Sequence, residues 1–363
     1  MSRSCPYCNS DRTVFAGFSA PVRCLNGHQR RRFRCQNCRR RFSENSTRFS
    51  FRFKKRDHTL SSKIFHLCTH GLSNRAIAHM HSISEHCVRL RIRRMARRAL
   101  IFHTRATANL RILEPLCFDG LENFAGSQYD PNNIQQALGR DSLFIYDFNF
   151  APLNRKGRRS IWQKQRLLQI ETRHGRYDPS AIRVATRTIV ERLYKFAENI
   201  APFTLVSDEH FQYRKAIHID LRSLPIQHVT ISSKVCRNFQ NILFSVNHAD
   251  LMIRQRIAAF SRETISFSKT PGAMCQKFSL FMLRKNYMST QFTKVHVRRP
   301  EAHLKSPAEH LGLFKRILKF SDIFDEYPHD QQSRELNTDW RCFWSGEVPS
   351  WSLRNKKHSR RCA

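Results

Sequence analysis

Between residues 60 and 70 the apolar side chains fall at positions 60, 64, 65, 67 and 68, the spacing of one helix face. Gly71 follows, a residue suited to ending a helix in the left-handed conformation. A second helix is expected over 74–81, capped by Ser73, with Ala76, Ile77 and Met80 on one side. Ser82-Ile83-Ser84 reads as a tight turn, and Ser84 is placed to cap a third helix. Its apolar positions Val88, Leu90, Ile92, Met95 and Leu100 are interleaved with Arg89, Arg91, Arg93, Arg94, Arg97 and Arg98.

From Leu110 onward the pattern changes to apolar runs that lead into acids. Residues 113–118 run into Asp119-Gly120, and residues 203–207 run into Asp208. Ile182, Ala185, Ile189, Leu193 and Phe196 form a stripe that predicts an amphipathic helix over 182–199. Further expectations are a strand over 226–231, a helix over 251–260 and a short helix over 306–320. Strands alternating with helices point to an α/β sheet core. Ahead of all this, only short strands are expected, over 13–15, 20–23 and 32–34.

Charge changes the picture most. Sixty-four Lys and Arg against 28 Asp and Glu leave a net charge of +36 over 363 residues. Such an excess calls for a polyanion, and nucleic acid is the leading candidate. Much of it is Arg, whose planar fork suits phosphate oxygens and guanine edges. On so basic a chain, the three-helix pattern reads as a helix-turn-helix whose third helix enters the major groove. Glu85, His86 and Arg89 would lie nearest the base edges, with Arg93 and Arg97 nearest the phosphates. A helical hairpin with a solvated basic face is the plainer alternative. No apolar run is long enough to span a membrane, and the polar start Ser2-Arg3-Ser4 does not read as an export signal. A cytoplasmic setting is expected.

Apart from Cys362 in the basic tail, the 12 cysteines divide into two sets. Cys68, Cys87, Cys117, Cys236, Cys275 and Cys342 lie in apolar segments and read as reduced thiols. Cys5-Pro6-Tyr7-Cys8 and Cys35-Gln36-Asn37-Cys38 are paired C-x-x-C knuckles, each tight enough to put two sulfurs on one ion. Together Cys5, Cys8, Cys35 and Cys38 complete the tetrahedral thiolate shell that structural Zn²⁺ prefers. Cys24 and His28 are also spaced like ligands, but the knuckles already close the site. So short a module has little core, so metal binding would supply most of its folding free energy. Up to Arg56 its arginines are opposed only by Asp11 and Glu44, which suggests a phosphate-facing surface.

Asp119 and Asp208 each have a simple structural explanation. Asp before Gly favours a turn, and Asp208 can cap the segment after it. Carboxylates at the ends of core strands in a DNA-reading chain also suit two hard divalent cations engaged in phosphoryl transfer.

Several motifs follow one another in an order that resembles a known family. They are the two cysteine knuckles, Phe118-Asp119-Gly120, Arg155-Lys156-Gly157-Arg158, Ser207-Asp208-Glu209-His210, Leu251-Met252-Ile253-Arg254, Arg262-Glu263-Thr264 and Ser306-Pro307-Ala308. The chain resembles bacterial insertion-sequence transposases with a zinc ribbon, a helix-turn-helix and an RNase H-like DDE catalytic domain. The resemblance spans most of the chain and implies a multidomain protein. Its zinc ribbon would cover 1–56, its helix-turn-helix 57–108, its α/β RNase H-like domain 109–298, and an extension with a basic tail 299–363.

It further implies that Asp119, Asp208 and a third acid hold two Mg²⁺ ions for strand cleavage and transfer. The family's third position falls on Asn247, so Asp250, three residues later, is the first choice and Glu263 the next. Asp250 could instead cap a helix beginning at Leu251. The implied partners are double-stranded DNA (terminal repeats and target) and further copies of the chain, in a nucleoid-associated setting. A catalytically inactive, transposase-derived DNA-binding protein or transcriptional regulator is the alternative. Trp340, Trp344 and Trp351 are expected to pack the extension onto the body.

Overall fold

The computed structural model describes residues 5, 7–8, 10–18, 31–43, 58–197, 203–261, 264–324, 330–348 and 350–351. At the N-terminal end, β1 (Thr13–Phe18), β2 (Arg31–Cys35) and β3 (Arg41–Ser43) form an antiparallel sheet in that order. The strand expected over 20–23 lies outside the described residues, as do Cys24 and His28. This sheet buries little: Cys5, Cys35 and Phe42 form its core, while Phe15 and Phe18 remain 54 % and 55 % exposed.

Three helices follow, α1 (His58–Cys68), α2 (Asn74–Met80) and α3 (Glu85–Ala106). Their boundaries are set by local chemistry. Gly71 takes a φ of 92° between the first two, where a side chain would be strained. The Ser73 hydroxyl accepts from Ala76 N at 3.2 Å, and the Ser84 hydroxyl accepts from Cys87 N at 3.2 Å. Each thereby satisfies an orphan amide of the helix it starts. The first turns of α3 are exposed, but from Arg91 onward most of the helix is buried.

The main sheet has five strands: β4 (Leu116–Phe124), β5 (Pro131–Gly139), β6 (Ile145–Pro152), β7 (Phe203–Asp208) and β8 (Ile226–Ile231). Their order is β6-β5-β4-β7-β8, with β4, β5 and β6 antiparallel and β7 and β8 parallel to β4. Helices α4 (Ile161–His174) and α5 (Ala181–Ala197) link β6 to β7, and α6 (Phe211–Lys215) runs into a π-helical turn, Ala216–Asp220. Beyond β8 come α7 (Phe244–Arg256), α8 (Pro271–Tyr287), α9 (Pro307–His310), α10 (Phe320–Phe324) and α11 (Thr338–Ser345).

Strand periodicity divides the core between the two faces of the sheet. Phe118, Ala137 and Leu205 pack with Ile182, Ile189 and Leu193 of α5 on one side. Cys117, Leu121, Ile134 and Val206 pack with Val246, Ala249 and Ile253 of α7 and Phe278 of α8 on the other.

Several elements differ from the sequence pattern. β4 does not stop at Asp119 but continues through Gly120 to Phe124. A Cβ on Gly120 would run into the Asn133 side chain on β5, so this glycine serves cross-strand packing rather than a turn. α7 begins at Phe244, which puts Asp250 inside the helix and removes the N-cap explanation for it. The segment 306–320 holds only the short α9, with its capping box at Ser306 and Glu309.

The domain boundaries expected near 108 and 298 do not separate hydrophobic cores. Ile64, Phe65, Ile92 and Met95 of the helices share one cluster with Leu116 and Phe118 of the sheet. Trp340 donates from Nε1 to the Phe148 carbonyl at 3.0 Å, and Trp340, Trp344 and Trp351 are all buried. Arg192 of α5 pairs with Asp147 of β6 at 2.6 Å and with Asp339 of α11 at 2.5 Å, clamping the extension onto the sheet.

Candidate functional site

The four knuckle cysteines meet. The sulfurs of Cys5, Cys8, Cys35 and Cys38 all lie within 4.8 Å of one another. Cys5 is 3.5 Å from Cys38, and Cys8 is 3.5 Å from Cys35, far from disulfide bonding distance. Tetrahedral thiolates about 2.3 Å from one zinc would stand roughly 3.8 Å apart, so the cage fits such an ion. Backbone and side-chain donors already point at the sulfurs: Cys38 N to Cys35 Sγ at 3.5 Å, and Asn37 Nδ2 to Cys8 Sγ at 3.8 Å. Burial pushes the Cys5 thiol up to about 12, whereas the Cys38 amide brings Cys35 down to about 6. The arrangement is able to hold a metal ion such as zinc.

The second site is built on the α7 face of the main sheet. Asp119 shares strand parity with Cys117 and Leu121, and Asp208 shares it with Val206, so both carboxylates face the α7 side. Phe118 is paired with Ser207 across the parallel β4–β7 ladder, and Asp119 and Asp208 come next on each strand. Gln136 lies opposite Asp119 on β5 and donates from Nε2 to Asp250 Oδ1 at 2.5 Å. Three acids distant in sequence thus approach one another. Glu263, the other candidate for the third acid, lies outside the described residues.

Electrostatics mark the same spot. Burial raises the Asp119 carboxyl to about 7, helped by the charges of Asp250 and Asp208. Burial also raises Asp250 to about 6, with Arg254, the Gln136 bond and Arg237 acting in the opposite direction. Carboxylates held this high are short of counter-charge. Gln136 Oε1 is buried with no hydrogen-bond partner among the described residues. Three carboxylates and an amide oxygen are the donors that hard divalent cations take. Among the described residues only the cysteines crowd three or more ligand atoms within 4.8 Å; the aspartates do not.

Neighbouring groups hold the acids in place. Asp119 Oδ1 accepts from Gly120 N at 2.7 Å, and Asp208 Oδ1 accepts from His210 N at 3.0 Å. His210 itself caps α6, its Nδ1 accepting from Gln212 N at 3.3 Å. The charge of Lys156, from the basic loop ahead of α4, is felt at His210. Gln136, Arg237 and Tyr213 carry no motif. Gln136 was hidden because β5 is an amide-rich strand, with Asn132, Asn133, Gln135 and Gln136 all buried.

The expected DNA-reading residues separate into two groups. Glu85, His86 and Arg89 are exposed at the start of α3, where Arg89 Nη2 donates to His86 Nδ1 at 2.9 Å and Glu85 pairs with Arg75 at 3.5 Å. Arg93 and Arg97 are reassigned. Arg93 Nη2 donates to the Ser345 carbonyl at 2.5 Å, and Arg97 Nε donates to the Trp344 carbonyl at 2.9 Å while lying over the Trp344 ring. The last carbonyls of a helix lack intrahelical donors and carry negative partial charge, which suits a guanidinium. Both arginines therefore hold the end of α11.

Compared with known proteins, the chain matches no family model and no curated protein. No helix among the described residues is long and apolar enough to cross a membrane.

Proposed function

We propose that this chain is a DNA transposase that binds the ends of its mobile element and cleaves and joins DNA strands with divalent cations. The observation that carries the reading is the approach of Asp119, Asp208 and Asp250, where burial and mutual repulsion hold Asp119 near 7. A five-stranded mixed sheet with helices on both faces is compatible with the RNase H-like domain that the family resemblance implies. Two Mg²⁺ ions held by the three aspartates would activate an attacking oxygen and stabilise the leaving one. The protein's own groups orient and attract. Gln136 fixes Asp250, the Gly120 and His210 amides each fix one carboxylate oxygen, and Arg237, Arg254 and Lys156 supply positive charge for a phosphate backbone.

In this reading the cysteine cage holds structural Zn²⁺, and the exposed start of α3 places Glu85, His86 and Arg89 at base edges. Handling two element ends together calls for a homodimer or larger assembly. The test is a Mg²⁺-dependent cleavage assay on DNA carrying the element's own end and flank. A nick at a fixed position is expected, abolished by Asp119→Ala and by Asp208→Ala. Cleavage that survives either change removes these acids from the reaction and the reading with them.

A further inference from the structure

Between the loop that leads into α7 and the segment that follows α8 lies a cavity of about 180 Å³. One water needs only about 10–15 Å³. Its walls combine rings and guanidinium groups, Phe239, Phe244, Phe292 and His296 with Arg140 and Arg298, with two amide side chains and an isoleucine. No acid lines it. Phe292 and His296 stack at 4.9 Å with planes 15° apart, and Phe239 meets His296 edge-on at 5.5 Å. Phe244 stands 6.1 Å from Phe292.

The polar groups of the wall are only partly matched within the protein. Arg299 is neutralised by Asp141 at 3.0 Å, whereas Arg140 is exposed and has no ion-pair partner among the described residues. Arg298 lies over the Phe239 ring at 4.9 Å. His296 Nδ1 is buried with no hydrogen-bond partner among the described residues. Beside the cavity the chain exposes Val295 and Val297, 66 % and 96 % accessible.

Rings that offer a stacking face, guanidinium groups without acids and an unmatched ring nitrogen together select a flat heterocycle attached to negative charge. A bare phosphate would leave the rings without a role, and an apolar ligand would leave the arginines without one. Bases of any sequence stack on such rings, and arginines take the flanking phosphates. An exposed apolar side chain such as Val297 can occupy the gap that a base leaves in the stack. The cavity wall and one of the acids share α7. Phe244 opens that helix, and Asp250 follows about 9 Å further along its axis.

We propose that this cavity receives one unstacked nucleobase of a DNA strand whose backbone passes on to the aspartates. The proposal rests on the DNA-processing reading. It is tested with the full-length, zinc-loaded chain and two fluorescent duplexes, one fully paired and one carrying a single unpaired adenine. Anisotropy titrations at fixed salt give both affinities. Phe239 is 48 % exposed and Arg140 is exposed, so Phe239→Ala and Arg140→Ala leave the core intact.

The wild type is expected to prefer the unpaired adenine about tenfold, from one base–aromatic stack. Each alanine variant brings the ratio of the two affinities toward one, and Phe239→Trp keeps it. If the wild type binds neither duplex, the DNA reading falls and the cavity proposal falls with it. If it binds both equally, or if the preference survives in both alanine variants, the cavity proposal alone is overturned.

Discussion

Gln136 reaches from β5 to donate to Asp250 on α7 at 2.5 Å, directly across the ladder from Asp119. One amide thus ties the acid of the helix to the acid of the central strand and leaves its own oxygen without a partner among the described residues. On the proposed reading, this contact supports Asp250 as the third acid, one helical turn beyond Asn247 along α7.

This assignment predicts a stability signature that needs no DNA. At pH 8 without divalent cations, two crowded buried carboxylates oppose folding. Asp119→Asn removes one of them, and its displacement from 3.8 to about 7 corresponds to a gain on the order of 4 kcal/mol. Asp250→Asn should gain somewhat less. Mg²⁺ should raise the thermal midpoint of the wild type by mass action. The response should vanish in both variants and persist in Asn247→Ala. A full Mg²⁺ response in Asp250→Asn would take the third position away from Asp250.

The cysteine cage predicts a local rather than global dependence on metal. Among the described residues the small sheet β1–β3 has only Cys5, Cys35 and Phe42 in its core, whereas the main body has two extensive cores. Chelation or Cys8→Ser should therefore expose the chain before residue 58 to proteolysis and leave the α/β body resistant. Elemental analysis should find one tightly held zinc per chain. A body that unfolds together with the ribbon, or a ribbon equally resistant without metal, would contradict this.

The sequence was most legible where chemistry is local. Ser73 and Ser84 cap the helices they were expected to start, and the cysteine knuckles close on one another because their spacing carries the geometry. It was least legible where tertiary contacts decide. Strand β5 reads Pro-Asn-Asn-Ile-Gln-Gln, polar enough to pass for a loop, and becomes a buried strand because β4 and β6 flank it on both sides. The arginines of α3 look alike in sequence. Burial by α11 and α10 turns the later ones inward, and Arg98 donates to the Ile323 carbonyl at 2.7 Å. Asp119 was found as an acid at the end of a run, yet β4 continues past it, because pairing with β5 extends to Phe124.

The division within α3 separates stability from binding. Arg97→Ala removes the bond to the Trp344 carbonyl and the ring contact, and should cost about 1–3 kcal/mol in urea unfolding. Its affinity for DNA per folded molecule should be unchanged. Arg89→Ala, at an exposed position, should leave unfolding within about 0.5 kcal/mol. It should instead weaken binding to the element's end and relax base preference there. The opposite pattern would return Arg97 to the DNA surface.

A final prediction concerns acid sensitivity and rests on His103. Its ring is fully enclosed, with Tyr287 Oη donating to Nδ1 at 2.9 Å and Nε2 donating to the Tyr146 carbonyl at 3.0 Å. Phe144 stacks on it at 5.5 Å, and the Trp340 ring stands 5.6 Å away. The groups facing it from β6, α8 and α11 are all uncharged, so nothing stabilises an imidazolium, and burial pushes its pKa from 6.5 down to about 4. Between those values the unfolded chain binds a proton that the folded chain refuses. Stability is therefore complete above about pH 6.5 and falls as the pH drops toward 4, by roughly 3 kcal/mol from this residue alone. His103→Gln should lose stability at pH 7 through imperfect packing yet show a shallower decline on acidification. The difference between the two urea-unfolding profiles isolates His103 from other histidines such as the half-buried His228, which desolvation also holds near 4. Parallel profiles for the wild type and His103→Gln from pH 7.5 to 4.5 would show that this imidazole does not set the acid limit.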